Sequence, residues 1–351
     1  MNSFSTDIQI GNHNVSKTSP VYIIAEAGVN HNGDIKLAYE LIDIAVKAGA
    51  DAVKFQLFNT ESLIKNDVKK ATYQVKNGVD DQTQFDMLKS LEISREDCAL
   101  LADYALKQNI DFIVTPFDEP SLSFLLTLPL SALKISSTDL TNLAFIEKAA
   151  QASVPIILST GMSEQSEVDQ AINALKGRVN DLILLQCTSS YPAPKEELNL
   201  RVMQKYADEY DVIVGYSDHT AGIGASPYAV AAGACVIEKH FTIDKALVGP
   251  DHQASLCPRE LAELVVEIRK VEAMLGSTVK RVEFCERENR LALQKCLVAA
   301  SSIEEGSLFS TANLIARRTG GQGIPARYVS DLVGKKAVRS YSTGEIIDEC
   351  K

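Results

Sequence analysis

The sequence lacks the cysteine pattern of a disulfide framework. Its seven cysteines are an odd number and form no CxxC pair. Several of them, including Cys98, Cys187 and Cys235, stand inside apolar runs, where a reduced thiol packs as a small hydrophobic side chain. The cysteine usage therefore predicts a protein of the reducing cytosol.

Excess basic charge and long hydrophobic runs are also missing. The net charge of −11 argues against broad binding to nucleic acid or to an anionic membrane, since both require a basic face. The longest uncharged stretch, Gly222 to Ile237, is too short to cross a bilayer. The first residues, Met1 to Asp7, lack the basic start and apolar core of a signal peptide. We expect a cytoplasmic protein with neither a nucleic-acid nor a membrane partner.

Histidine is scarce, yet two of the five histidines end adjacent strand-like runs. The run Val236 to His240 places Glu238 and His240 on one face, because side chains alternate along a strand. Upstream, a similar apolar run leads into Ser217-Asp-His219. Imidazoles at neighbouring strand ends suit a divalent metal such as Mn, Fe, Co or Zn. The alternative is that each histidine only satisfies local hydrogen bonds.

Strand-like and helix-like patterns alternate along most of the chain. The predicted strands are 21–25, 52–57, 112–115, 133–136, 155–160, 182–187, 212–216 and 235–240, and the predicted helices are 37–48, 95–108, 142–152, 164–175, 226–233 and 259–275. Eight strand–helix units in about 255 residues are typical of a TIM (β/α)8 barrel, whose active site lies at the carboxyl ends of the strands. A doubly wound sheet is the alternative. We favour the barrel because polar residues end every strand, whereas an open sheet would concentrate them at one switch point.

The pattern changes on either side of this α/β domain. We expect a leader or hairpin at 1–20 around Gly11-Asn12, the barrel at 21–276, a charged linker at 277–290 and a small β-rich domain at 291–351. A domain of that size would have only marginal stability alone, so we expect it to pack on something else. The polar stretch from Asn59 to Leu91 is predicted to be a long loop over the mouth of the barrel.

Two lysines stand inside apolar strands, where an unpaired ammonium group is costly to bury. Lys54 and Lys134 therefore need anionic partners. Hydroxyl groups at the other strand ends, together with the backbone amides of Gly161 and Met162, would complete a cradle for phosphate and carboxylate. The alternative is a purely structural role, in which the lysines pair with Glu26 or Asp139 and contribute only to stability. Schiff-base chemistry is the catalytic alternative, but it needs only one desolvated lysine.

A series of motifs that spans nearly the whole chain resembles the sialic acid synthase family. In chain order they are Ala25-Glu-Ala-Gly-Val-Asn-His-Asn-Gly33, Val53-Lys-Phe-Gln56, Thr115-Pro-Phe-Asp118, Ser159-Thr-Gly-Met162, Ser217-Asp-His219, Glu238-Lys-His-Phe241 and Gly249-Pro-Asp-His252. The resemblance implies a TIM barrel followed by a small C-terminal SAF (antifreeze-like, β-clip) domain. It also implies a domain-swapped homodimer, in which the small domain reaches over the partner's barrel.

The resemblance further implies a transferase that joins phosphoenolpyruvate to an open-chain N-acetylated hexosamine and releases phosphate by C–O cleavage. The product, a nonulosonic acid, serves carbohydrate biosynthesis, as in cell-surface polysaccharide. The divalent metal implied is most often Mn²⁺, with Mg²⁺ and Co²⁺ as alternatives. The residues implied are His219 and His240 for the metal, Glu26, Lys54, Lys134 and Asp139 for catalysis, and Gln56, Thr115, Phe117, Ser137, Ser159, Ser189, Tyr191, Ser217, Asp251 and Arg318 for the substrates.

Because the sequence departs from the family pattern at several positions, two sugars are candidates for the substrate. Asp139 replaces a more usual Glu, Ser189 replaces Asn or Thr, Cys257 interrupts a common motif, and the loop 318–323 is unusual. The two candidates are N-acetylmannosamine and 2,4-diacetamido-2,4,6-trideoxymannose, the precursor of legionaminic acid. Two other functions remain as rivals. One is a phosphoenolpyruvate aldol synthase that acts on a phosphorylated sugar, and the other is a non-catalytic carbohydrate-binding or scaffold protein.

Overall fold

The computed structural model describes residues 4–70 and 83–348. These form two compact units, Met1–Gly276 and Ser277–Lys351. We describe each unit separately.

The first unit begins with an antiparallel hairpin of strands β1 (Asp7–Ile10) and β2 (His13–Ser16). Gly11 occupies the turn with a φ of 51°, which favours glycine. The apolar side chains of the hairpin pack with residues near the starts of the barrel strands, such as Tyr22 and Ile113. His13 Nδ1 lies 2.8 Å from Asp111 Oδ2, which also fastens the hairpin to this end of the barrel.

Eight parallel strands close into a barrel, which confirms the fold predicted from the sequence. They are β3 (Tyr22–Gly28), β4 (Ala52–Leu57), β5 (Asp111–Pro116), β6 (Ala132–Ile135), β7 (Ile156–Ser159), β8 (Leu182–Cys187), β9 (Ile213–Asp218) and β10 (Val236–His240), which pairs with β3. Nearly all their residues are buried, because helices cover the outside and side chains fill the inside. In the register of this closure, Glu26 is paired with His240 on one side and with Lys54 on the other.

Helices follow the strands and cover the barrel. They are α1 (Ile35–Ala48), α2 (Thr60–Leu63), α3 (Gln84–Leu91), α4 (Arg95–Lys107), α5 (Glu119–Leu125), α6 (Leu143–Ala149), α7 (Gln165–Leu175), α8 (Val202–Tyr210), α9 (Ser226–Ala231) and α10 (Pro258–Leu275). Four of them were not individually predicted: α5 and α8, together with α2 and α3. The start of α5 is set by Asp118, whose side chain accepts from the amide of Ser121 at 2.8 Å.

The stretch 59–91 was predicted to be one long loop, and that prediction is wrong at its two ends, whereas residues 64–70 contain no helix or strand. The helices α2 and α3 lie at its two ends, and residues 71–82 lie outside the described part. A capping box at Thr83 and Asp86 starts α3. The apolar side chains of α3 join a small core beneath the mouth of the barrel, a hydrophobic role that the polar composition of the stretch concealed.

The second unit contains α11 (Arg287–Leu293), the antiparallel pair β11 (Lys295–Ala299) and β12 (Leu314–Arg318), and α12 (Val329–Leu332). Isolated bridges, such as Val298 to Ile346 and Ile303 to Tyr341, extend the β character of the unit. Its own small core includes Leu297, Phe309 and Tyr341. Within the described residues of both units, no helix combines the length and apolar character needed to cross a membrane.

Candidate active site

A cavity of about 390 Å³ opens at the carboxyl ends of the barrel strands, where barrel enzymes place their chemistry. Most of the residues singled out in the sequence line it. They are Glu26, Lys54, Gln56, Thr115, Phe117, Lys134, Ser137, Ser159, Ser189, Tyr191, Ser217, His219, His240 and Asp251. Because side chains alternate along eight short strands, these residues meet in one cavity although they lie up to 225 positions apart in the sequence.

Four buried charges form the floor of the cavity. Lys54 Nζ lies 2.8 Å from Glu26 Oε2 and 3.6 Å from Glu238 Oε2. Lys134 Nζ lies 3.8 Å from Glu238 Oε1 and donates to Ser159 Oγ at 2.6 Å. Lys54 also donates to Thr115 at 3.1 Å, so both ammonium groups already contact hydroxyls at strand ends. The lysines are therefore held by carboxylates beside hydroxyl groups that could bind an anion.

The pKa values of the two carboxylates in this cluster are shifted in opposite directions. Burial raises the pKa of Glu26, although Lys54 acts in the opposite direction. Burial also opposes the ionisation of Glu238, but Lys134 and Lys54 outweigh it and lower the pKa of Glu238 to about 2. Burial lowers the pKa of Lys134. Glu238 is therefore the fixed negative charge, and Glu26 is the carboxylate of the two that holds a proton more readily.

The two histidines face one another across the same cavity, with ring centroids 5.6 Å apart. His219 Nδ1 donates to the Thr188 carbonyl at 3.0 Å, so its Nε2 is the acceptor of the Tyr191 hydroxyl, also at 3.0 Å. Burial lowers the pKa of His240 well below its usual value, and His219 adds to the effect. Burial likewise disfavours charge on His219, but contact with Cys187 outweighs it and raises the pKa of His219.

A buried ion pair fixes the strand ends that carry these histidines. Asp218 Oδ1 lies 3.2 Å from Lys239 Nζ, on the opposite strand faces from His219 and His240. Asp218 Oδ2 also accepts from the amide and the hydroxyl of Ser226, at 3.0 and 2.6 Å. The start of α9 is thereby tied to the end of β9, which stabilises the position of His219.

The histidine pair fits a divalent metal of intermediate hardness. Nδ1 of His240 is buried and makes no hydrogen bond, and the carboxylates of Glu26 and Asp251 line the same cavity. Imidazole and carboxylate donors suit Mn²⁺ and related ions. No group of three or more His, Cys, Asp or Glu side chains in residues 4–70 and 83–348 is arranged to hold a metal. The pair therefore fits an ion that completes its coordination with water or substrate.

The loop after β10 brings Asp251 to the cavity. Its neighbour His252 is held by Thr242 Oγ1 at 2.6 Å and by Asn32 Oδ1 at 3.1 Å. His252 thus serves the loop rather than the histidine pair. Burial, assisted by the charge of Glu26, raises the pKa of Asp251 to about 6.

Two of the predicted site residues stand apart from the cavity lining described here. Asp139 ends a short 3₁₀ turn (Ser137–Asp139), where Asn142 donates to it at 3.5 Å, and burial raises its pKa. Arg318 ends β12 in the second unit, and its side chain is exposed there. The Gly161 amide, which we expected to face an anion, instead donates to Ser137 Oγ at 2.9 Å.

Other residues of the cavity were missed. Glu238 was not assigned a role, although its alternation with His240 was a usable signal. Cys187 was predicted to be a plain packing residue, but its thiol lies 3.5 Å from His219 Nδ1 and lines the cavity. No sequence signal identified the apolar side of the cavity, because its residues come from separate turns and short helices. That side comprises Phe58, Leu63, Ile64, Leu88 and Met162, together with the predicted Phe117.

The fold and the cavity define a TIM-barrel protein with a buried lysine–carboxylate cluster beside two histidines. The chain belongs to the NeuB family, whose model matches residues 41–280, and a SAF domain matches residues 294–349.

Relatives span almost the whole chain. The chain is 45% identical to N,N'-diacetyllegionaminic acid synthase of Campylobacter jejuni, covering 93% of this chain and 98% of that protein. The enzyme of the same name from Legionella pneumophila is also 45% identical, over 92% of each chain. Human N-acetylneuraminate-9-phosphate synthase is 36% identical over 94% of this chain and 92% of its own.

Solved structures agree with the fold. The N-acetylneuraminic acid synthetase of Leptospira borgpetersenii, solved in complex with citrate, superposes with a TM-score of 0.72 at 36% identity, covering 84% of this chain and 99% of that one. A truncated 3-deoxy-D-arabino-heptulosonate 7-phosphate synthase from Thermotoga maritima has a TM-score of 0.61 at 17% identity, covering 79% and 95%, which supports the barrel fold alone.

Proposed function

We propose that this protein is a nonulosonic acid synthase that condenses phosphoenolpyruvate with an open-chain N-acetylated hexosamine. The observation that carries the proposal is the placement of Lys54 and Lys134 among strand-end hydroxyls, in the same cavity as His219 and His240. The names of the relatives support the same chemistry, since each is a synthase of a sialic-type acid.

The phosphoenolpyruvate site is assigned to the cluster of lysines and hydroxyls. Phosphate and carboxylate are both anions, and two ammonium groups with neighbouring hydroxyls can hold them in one orientation. The groups assigned are Lys54, Lys134, Thr115, Ser137, Ser159 and Ser217. Glu26 and Glu238 keep the lysines charged and in place before the ligand arrives, which reduces the reorganisation that binding requires.

The sugar is assigned to Gln56, Tyr191 and Asp251, together with Phe117 and Ser189. Asp139, which stands apart from the cavity lining, is assigned a role in sugar choice through its neighbours Ser137 and Thr138, which line the cavity. When bound by His219 and His240, a divalent metal, most consistent with Mn²⁺, supplies Lewis-acid polarisation of the sugar aldehyde. The lysine cradle holds the enol carbon of phosphoenolpyruvate toward that carbonyl carbon. Attack of the enol carbon on the carbonyl carbon forms the new C–C bond, the former aldehyde oxygen takes up a proton, and C2 becomes cationic. Glu26, whose pKa is raised by burial, takes a proton from the water that adds to C2. The resulting tetrahedral carbon then loses phosphate by C–O cleavage and its hydroxyl proton, which leaves a ketone at C2.

We assign 2,4-diacetamido-2,4,6-trideoxymannose as the preferred sugar. The two relatives at 45% identity are named for the corresponding diacetylated product. The Asp139 carboxylate is one methylene shorter than the Glu expected there, which suits a bulkier substrate or a bridging water. Among the described residues that line the cavity, Lys54 and Lys134 are the only lysines, and no arginine joins them. The lining thus offers no second basic cluster for a phosphorylated sugar.

A sugar panel tests the proposal. Purified protein with Mn²⁺ and phosphoenolpyruvate should release phosphate with the diacetamido sugar at higher kcat/KM than with N-acetylmannosamine. Absence of phosphate release with every N-acetylated hexosamine would reject the synthase function. A higher kcat/KM on N-acetylmannosamine would reject only the sugar assignment. The proposal also includes a cytoplasmic, domain-swapped homodimer that supplies a sugar for cell-surface polysaccharide.

A further inference from the structure

The cavity has two chemically different sides. Beside the charged strand ends, the cavity has an apolar wall, which we define as Phe58, Leu63, Ile64, Leu88 and Phe117. The rings of Phe58 and Phe117 meet edge to face with centroids 6.4 Å apart. Leu63, Leu88 and both rings pack in one cluster, so four of these side chains form a single surface rather than scattered apolar contacts.

This wall is supported from behind. Val29, Met87 and Leu91 are buried, with 4%, 6% and 5% exposure, and back the half-buried Leu63 and Leu88. The two helices that carry these leucines are in contact through an ion pair, because Lys89 Nζ on α3 lies 2.9 Å from Glu61 Oε1 on α2. The part of each leucine that is not packed faces the cavity, where it can meet a ligand.

We propose that the apolar wall determines which sugar the site accepts, by favouring methyl groups over hydroxyl groups at the end of the sugar remote from the aldehyde. This inference rests on the proposed synthase function. N-acetylmannosamine has hydroxyls at C4 and C6, which lose hydrogen bonds with water when they are pressed against hydrocarbon. The trideoxy sugar has an acetamido methyl and a C6 methyl at these positions instead, and burial of each methyl against hydrocarbon is favourable.

The size of the effect follows from general experience with enzyme pockets. A methyl-sized difference in an apolar pocket discriminates substrates by about 10- to 200-fold. The discrimination should therefore be visible as a ratio of kcat/KM values for the two sugars. It should leave the KM for phosphoenolpyruvate unchanged, because that ligand is assigned to the lysines and hydroxyls rather than to the wall.

Polar substitutions of similar length in the wall provide the test. Leu88→Gln and Leu63→Gln are to be compared with Leu106→Gln, which alters a leucine that is 75% exposed on α4, outside the cavity lining. Each variant is assayed for phosphate release with both sugars, and its thermal unfolding is recorded. We expect the ratio of kcat/KM for the trideoxy sugar to that for N-acetylmannosamine to fall at least tenfold in the wall variants and to stay unchanged in Leu106→Gln.

The outcomes separate this inference from the proposed function. Wild-type protein that releases phosphate but prefers N-acetylmannosamine would overturn the role of the wall and retain the synthase. An unchanged ratio in folded wall variants would do the same. Should Leu88→Gln fail to fold, Leu63→Gln and Ile64→Thr carry the test, with Leu88→Met expected to keep the wild-type ratio. No phosphate release with any sugar would reject the synthase itself.

Discussion

The Tyr191 hydroxyl donates to Nε2 of His219 at 3.0 Å, on the imidazole nitrogen that Thr188 leaves unprotonated. The same lone pair is the one that His219 would offer to a metal. Tyr191 and a metal therefore compete for a single nitrogen, whereas Nδ1 of His240 is buried and makes no hydrogen bond. Substitutions of Tyr191 and of His240 should therefore have different effects on metal affinity.

The first prediction concerns metal affinity. His240→Ala should weaken Mn²⁺ binding by at least about tenfold, because it removes a ligand. Tyr191→Phe should leave the affinity equal to or tighter than wild type, because it removes a competitor. Titration calorimetry of the metal-free protein measures both, and His13→Ala, at the hairpin end of the barrel, is the control. Full turnover after chelation of all metal would contradict the metal site altogether.

The second prediction concerns the buried charge cluster. Glu238→Gln should lower the free energy of unfolding by about 3–5 kcal/mol, because removing one partner leaves buried ammonium groups uncompensated. Glu147→Gln is the matched control. It breaks an exposed pair in which Glu147 Oε1 lies 3.1 Å from Arg178, and exposed pairs contribute about 0–1 kcal/mol. Urea unfolding measures both losses, and equal losses would show that Glu238 does not hold the lysines.

The third prediction follows from Asp251, whose pKa is raised by burial to about 6. A carboxyl that holds its proton more tightly in the folded state favours folding at low pH. That contribution is lost as the pH rises from its unfolded pKa, near 4, through 6. Asp251→Asn should therefore be more stable than wild type by about 2–3 kcal/mol above pH 7, with the difference vanishing below pH 4.

Urea unfolding of Asp251→Asn at several pH values measures this difference. The matched control is Asp103→Asn on the exposed face of α4. A stability difference that does not change between pH 4 and pH 7 would show that Asp251 has an ordinary pKa.

The fourth prediction is that Arg318 acts in the partner's site of a homodimer. Its exposed position at the end of β12, in a relatively basic unit, leaves its guanidinium available for an anionic or hydroxylated ligand. His240→Ala and Arg318→Ala chains should each be inactive. After they are mixed and allowed to exchange, about a quarter of wild-type activity should return, because half the dimers are mixed and each has one intact site.

Subunit exchange must be confirmed independently, for example with two fluorescent labels. Confirmed exchange with no recovery would place Arg318 in its own chain's site. An active Arg318→Ala chain would remove the arginine from catalysis.

The sequence by itself determined the barrel and most of the polar residues of the site. Alternation along strands such as Val236–His240 is a local property, and parallel closure then requires every strand end to meet at one mouth. Lys54 and Lys134 could be recognised for the same reason, because a lysine inside an apolar strand must have a partner. The strands predicted at 52–57 and 182–187 have those same bounds in the structure.

Only the tertiary structure decided how those residues are paired. Glu238 lies between Lys134 and Lys54, which are 104 and 184 residues away in the sequence. No local sequence pattern indicates that the pKa of Glu238 is lowered to about 2 while the pKa of Glu26 is raised. The apolar wall is likewise assembled from segments that are polar overall. Its leucines face the cavity because Val29 and Met87 pack behind them, which depends on long-range contacts rather than on sequence periodicity.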